Sequence, residues 1–243
     1  MKSHLLLFKE RCTEQPKPGG VCAANTKVIN NFTKENSMTD VYSFHVALQE
    51  FESKFWRDFQ ISSNATVAFL AYTVLGSYQA QGEHLFCVDC KGVHYEFPID
   101  DFDDELPPSV DPSAVKLRQL KLAPGDTLTV VYDYGDEWTF QLEYQGKAPM
   151  ERNTWPRYPL ITDGAGQGII EDIGRDGLEE IVQNKDEKGE DYIISEFQGI
   201  PMYWDYTRFD LASENLVLKE KARYLRALYE IPFEDDFEPD FSE

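Results

Sequence analysis

Two runs of alternating apolar residues, separated by a short Gly-Asp segment, constrain this chain more than any other feature. Leu128, Val130, Tyr132 and Tyr134 alternate, and so do Trp138, Phe140, Leu142 and Tyr144. That period belongs to strands with one buried face, and the pair predicts a β-hairpin. A two-residue Gly135-Asp136 loop puts the two apolar sets on opposite faces. A three-residue loop, Gly135-Asp136-Glu137, pairs Tyr134 with Trp138 and aligns them. Register follows burial, so the three-residue loop is expected.

The remaining elements are read in the same way. Tyr42, Phe44, Val46 and Leu48 predict one strand, and Phe55–Ile61 a second, with Phe55, Phe59 and Ile61 on one face. Val67, Leu70, Ala71, Val74, Leu75 and Tyr78 form one helical stripe, with Thr66 or Asn64 as N-cap. A hairpin follows, His84–Cys90 and Val93–Phe97, turning at Lys91-Gly92. Pro107 and Pro108 make the acidic stretch Asp100–Asp111 a loop. Val115–Leu122 reads as a strand ended by Pro124-Gly125, and the chain after Tyr144 is irregular as far as Gly174. Helices are expected from Leu178 to about Asn184 and over Ser213–Glu230, the second capped by Ser213, with a charged turn at Asp186–Asp191 between them. This order predicts an α+β fold, a mixed or antiparallel sheet with a helix packed on one face. A β-grasp-like core with extra C-terminal helices is the expected topology.

The 243 residues suffice for one large domain. Residues 1–37 carry six Lys/Arg against three Asp/Glu, whereas 38–243 carry 17 against 41. Lys34-Glu35-Asn36-Ser37-Met38 back-translates to a purine-rich stretch before an ATG codon. Residues 1–37 therefore read as a translated leader ahead of a natural start at Met38, or as a disordered tail. Residues 38–230 then form a single domain, and 231–243 an acidic disordered tail with Phe233, Phe237 and Phe241 spaced among six acids.

A formal charge of −21 repels phosphate, which argues against nucleic acid and anionic membrane as partners. No apolar run is long enough to span a bilayer or to form a signal-peptide core, so a cytoplasmic protein is expected. The four cysteines, Cys12, Cys22, Cys87 and Cys90, do not make a secreted disulfide framework.

At this point the motifs resemble those of a family, the plasmid pRiA4b ORF-3-like proteins. Trp56-Arg57 on an early strand, then the helix, then His84-Leu85-Phe86 is similar to the family's opening. Tyr132-Asp133-Tyr134-Gly135-Asp136-Glu137-Trp138 resembles its Tyr-Asp-Phe-Gly-Asp-x-Trp motif. Gly164-Ala165-Gly166 and Glu171-Asp172-Ile173-Gly174 resemble its Gly-rich and Pro-Pro-Glu-Asp-x-Gly-Gly segment, and Arg208-Phe209-Asp210 with Asn215-Leu216 its close. The chain departs from the pattern at Ile169-Ile170, where prolines are usual, at Arg175, which replaces a glycine, and at Thr139-Phe140, which occupies the place where a histidine often follows the Trp. The resemblance implies little about function. Members are described as uncharacterised, and some relatives are mobile-element passengers labelled as resolvases. A serine recombinase needs an activated Ser among arginines and a basic DNA-binding segment, and neither is present here.

Five acids, Asp133, Asp136, Glu171, Asp172 and Asp176, can converge on a divalent cation, which prefers oxygen ligands. Equally, Asp136 can serve the hairpin loop and Asp172 brace the Gly-rich turn. Cys87-Val88-Asp89-Cys90 has knuckle spacing, but zinc wants four ligands, which leaves His84 and His94 to complete a set. On a strand Cys87 and Cys90 point to opposite faces, so two buried thiols are expected. Gly164-x-Gly166-x-Gly168 lacks the Lys-Ser/Thr pair of a phosphate loop and reads as a shaped turn. Trp138 reads as core, and Trp155 and Tyr158, among prolines, as exposed recognition residues. Candidate ligand or partner contacts are therefore Arg57, His84, Asp133, Asp136, Trp138, Trp155, Tyr158, Glu171 and Asp172, with no cofactor. The expected function is a non-enzymatic module that binds another protein, associated with mobile elements. The alternative is a metal-assisted hydrolase built on Asp133, Asp136, Glu171 and Asp172.

Overall fold

The computed structural model describes residues 39–98, 109–150, 158–189, 194–197 and 200–231. The readings placed on 1–37, on Trp155 and on the tail from 232 lie outside these residues. Alternation builds a seven-stranded sheet in the order β4-β3-β5-β6-β1-β2-β7, from β1 (Asp40–Leu48), β2 (Trp56–Ser62), β3 (Phe86–Cys90), β4 (Val93–Glu96), β5 (Thr127–Tyr132), β6 (Trp138–Pro149) and β7 (Leu160–Ala165). Every pair in it is antiparallel. Among the described residues three helices accompany it, α1 (Val67–Ser77), α2 (Gly174–Lys188) and α3 (Leu211–Glu230), with a separate two-stranded sheet of β8 (Ile194–Phe197) and β9 (Ile200–Trp204). Among the described residues no helix is long and apolar enough to cross a membrane.

The central hairpin keeps the parity that burial demands. Leu128, Val130 and Tyr132 pair with Leu142, Phe140 and Trp138, and all six are buried. The loop, however, has five residues, Asp133–Glu137, and Tyr134 does not pair with Trp138. A shift of two residues leaves every side chain on its face, so burial cannot choose between the two registers. Local chemistry chooses. Asp133 and Glu137 both have left-handed φ, 59° and 52°, and Asp133 Oδ1 accepts the Gly135 N–H at 2.9 Å.

Thr66, rather than Asn64, caps α1, its Oγ1 accepting the Phe69 N–H at 3.0 Å. The ring of Tyr78, just past the helix, lies 4.7 Å from that of Phe140 on β6. Beyond the expected stripe, Ala68, Tyr72, Thr73, Gly76 and Ser77 are also buried. The outer face meets α3: a Cβ on Gly76 would sit 3.3 Å from that of Lys221.

Four expectations are corrected. Val115–Leu122 is not a strand but contains a 3-10 turn, Leu117–Leu120, because the Lys116 N–H is taken by the Gln119 side chain at 2.8 Å. The irregular stretch contains β7, which pairs with β2 at the sheet edge. Helix α2 starts at Gly174 and continues through Asp186 to Lys188, replacing the charged turn there. Asp210 caps α3, its Oδ1 accepting the Ser213 N–H at 2.8 Å, so Ser213 lies inside the helix.

Glu214, on α3, is buried among these layers. Burial pushes its carboxyl above the ordinary range, against the pull of Arg57. The folded chain thus holds this proton more tightly than the unfolded one, and the group's contribution to stability falls as pH rises above about 4.3. Glu214→Gln is expected to gain on wild type as pH is raised through that range. A stability difference that stays constant with pH would contradict the assignment.

Candidate metal centre

The site begins with a charge in an apolar position. Arg57 lies on the inward face of β2 with Phe59 and Ile61, and it is fully buried. Its guanidinium stacks between the rings of Tyr78 and Phe209, 4.8 and 4.7 Å from their centroids. It donates to the carbonyls of Trp56, Ala165, Gly166 and Gln167. Burial lowers the Arg57 pKa, with Tyr78 and Glu214 opposing. Arg57 therefore holds the glycine-rich turn, with its donors turned onto backbone carbonyls. Gly168 threads past the end of α1, where a Cβ would fall 2.2 Å from the Tyr78 carbonyl oxygen.

The turn delivers Glu171 and Asp172 to the β5–β6 loop. Glu171 Oε1 accepts the Gln81 N–H at 2.7 Å and the Tyr132 hydroxyl at 2.6 Å. Tyr132 in turn accepts the Gly82 N–H at 3.1 Å. Burial first, then this bond to Glu171, pushes the Tyr132 pKa well up, so its hydroxyl stays a donor. Asp136 Oδ2 accepts the Gly174 N–H at 2.9 Å, and Arg175 reaches Glu50 at 3.0 Å and Glu137 at 3.8 Å. The arginine that departs from the family pattern thus ties two turns together.

Within this junction three groups face one another. His84 Nε2 lies 3.5 Å from Asp133 Oδ2 and 3.6 Å from Asp172 Oδ1. Their ligand atoms all fall within 4.8 Å of one another. Asp172 holds a left-handed φ of 64°. His84 Nε2 and Glu171 Oε2 are both buried without a hydrogen-bond partner. The gaps from the imidazole are too long for good hydrogen bonds. They match the separation of about 3.3–3.6 Å between ligands around a tetrahedral ion with bonds of about 2.0–2.2 Å.

The structure therefore brings His84, Asp133, Asp136, Glu171 and Asp172 into one place but divides their work. Asp136 Oδ2 and Glu171 Oε1 accept backbone N–H groups, as Asp133 Oδ1 does, and the ligand atoms that cluster are those of His84, Asp133 and Asp172. Trp138 is wholly buried. Tyr158 lines a separate cleft of about 420 Å³ with Phe69, Arg223 and Arg226, sharing no residue with the junction. Cys87 and Cys90 are both free and buried; Cys90 belongs to the core, and among the described residues neither joins a ligand cluster with His84. Sequence reasoning missed Tyr132 as a clamp. Alternation places its ring inside but says nothing of what its hydroxyl reaches.

Among the described residues, a seven-stranded antiparallel sheet with three helices defines the fold class. Residues 40–213 match the family model described as plasmid pRiA4b ORF-3-like protein, and the chain belongs to that family. The fold is similar to that of a crystal structure of a protein of unknown function from Methanosarcina mazei Go1, with a TM-score of 0.57 and 20% identity. The match covers 72% of this chain and 97% of that one, and at this identity it speaks for the fold alone. No curated protein matches the chain.

Proposed function

We propose that this chain binds a divalent cation through His84, Asp133 and Asp172 and uses it as a metal-assisted hydrolase. The observation that carries this reading is the buried, unbonded His84 Nε2 facing two carboxylate oxygens at 3.5 and 3.6 Å. The Asp172 side chain is 76% exposed, so one side of such an ion would open to water. A bound divalent ion lowers the pKa of its water and supplies hydroxide at neutral pH. The clamps on Glu171 and Asp136 would hold the ligand-bearing loops still while this happens.

Calorimetric titration with Mn²⁺ tests the binding. Wild type is expected to give a saturable heat, and His84→Ala and Asp172→Asn to lose most of it while remaining folded. No heat from wild type at millimolar metal would end the proposal. Metal-dependent turnover of a generic phosphodiester or ester tests the chemistry. Binding without turnover would leave a metal-binding protein and remove the hydrolase.

A second reading, a module that binds another protein, is supported by exposed apolar side chains on α3, namely Leu216, Val217 and Tyr224. Both readings include no nucleic-acid partner, on the grounds of charge, and a cytoplasmic location, on the grounds of the short apolar runs in the sequence. The β-grasp-like description of the core rests on the element order alone, hairpin, helix, then further strands.

A further inference from the structure

The β3–β4 hairpin carries a second constellation, independent of the first. It turns at Lys91-Gly92, both with positive φ, and its register pairs Cys87 with Glu96 and Asp89 with His94. Residues two apart on a strand share a face, so these four side chains stand on one side of the hairpin. Val88, Cys90 and Tyr95 take the other side and join the core. The outward face thus presents a thiol, an imidazole and two carboxylates at the corners of one rectangle.

The geometry there is close. His94 Nδ1 lies 2.8 Å from Asp89 Oδ1, and His94 Nε2 lies 3.4 Å from Glu96 Oε2. One ligand atom each from Cys87, Asp89 and His94 falls within 4.8 Å of the others. Tyr134, from the β5–β6 loop, donates its hydroxyl to Glu96 Oε1 and lies against Cys87. The thiol is nearly covered, whereas Asp89 is open. Among the described residues His94 is the only ionic partner of Asp89 and of Glu96. Two carboxylates and a thiol share a single imidazole, and this excess of negative and sulfur ligands suits a borderline-soft dication.

We propose that Cys87, Asp89 and His94 bind zinc on the outer face of this hairpin, with Glu96 orienting the imidazole from its far nitrogen. The ion would take His94 Nδ1, which now faces Asp89, and the ring proton would reside on Nε2, donated to Glu96. Such an imidazole–carboxylate contact fixes the tautomer of a ligating histidine. The Cys87 thiol loses its proton to solvent as the Zn–S bond forms, so binding releases a proton. A water completes four-coordination.

Cobalt titration of the full-length chain, kept reduced, tests this separately from the His84 junction, which contains no sulfur. Wild type is expected to develop a near-ultraviolet sulfur-to-cobalt charge-transfer band that saturates and is displaced by zinc. Cys87→Ser should abolish the band, while Cys90→Ser and His84→Ala should keep it. Glu96→Gln should weaken binding about 10–100-fold. Asp89 is exposed, so Asp89→Asn folds and should also lower affinity. Absence of the band in wild type overturns the proposal. So does a band that survives Cys87→Ser, drawn from Cys12 or Cys22, or one that disappears with Cys90→Ser.

Discussion

Arg57→Leu is expected to cost about 3–5 kcal/mol, among the largest effects of any single substitution in this chain. The leucine fills part of the space between Tyr78 and Phe209 but donates nothing. The carbonyls of Ala165, Gly166 and Gln167 then lose the guanidinium that satisfies them, and Glu214 loses its nearby positive charge. Each buried acceptor left unpaired costs about 1–3 kcal/mol, and the stacking on two rings is lost as well. Arg57→Lys should recover little, because an ammonium cannot span three carbonyls as a planar fork does. Urea unfolding measures both. A loss below about 1 kcal/mol for Arg57→Leu would show that water or a shifted turn replaces the guanidinium.

Gly166→Ala is expected to lose about 3 kcal/mol or more, and metal affinity at the His84 junction with it. Gly166 has a φ of +80°, and a Cβ there would stand 2.3 Å from the Lys54 carbonyl oxygen. The strain of the left-handed conformation is one cost, and the push of the added methyl against the Lys54 backbone is the other. Gly125→Ala separates them. Gly125 has a φ of +90° with nothing within 4 Å of the added carbon, so it should cost only about 1–2 kcal/mol. If the two variants lose the same stability, the close approach to Lys54 does not constrain the turn. If Gly166→Ala leaves metal binding at the junction untouched, the turn does not place Asp172.

Particular elements show why some of this was legible in the sequence. The central hairpin was readable because Leu128, Val130, Phe140 and Leu142 each need burial, and burial fixes parity. Its five-residue loop was not, since parity is blind to a shift of two and the decision rests on the Asp133 carboxylate. Strand β7 was invisible because an edge strand buries few side chains: within Leu160–Ala165 only Ile161 is fully covered. The 3-10 turn at Leu117–Leu120 passed for a strand because Val115 and Leu117 alternate there while the Gln119 side chain intervenes. For the junction, composition named the acids and family likeness supplied His84 and Arg57. That Asp136 and Glu171 would spend themselves on Gly174 and Gln81, leaving His84 with Asp133 and Asp172, depends on contacts between distant segments. No local pattern carries that information.

Strand β1 lies between two partners of very different sequence distance. With β2 it makes a hairpin, but its other edge pairs Leu48 with Phe140 and Asp40 with Pro149. During synthesis on the ribosome, that edge remains without its neighbour until roughly a hundred further residues have emerged. Such distant pairings close slowly and leave a strand edge open to other nascent chains. The final sheet therefore waits on β6, and a growing chain halted before Trp138 would hold a sticky, half-built layer that calls for chaperone cover.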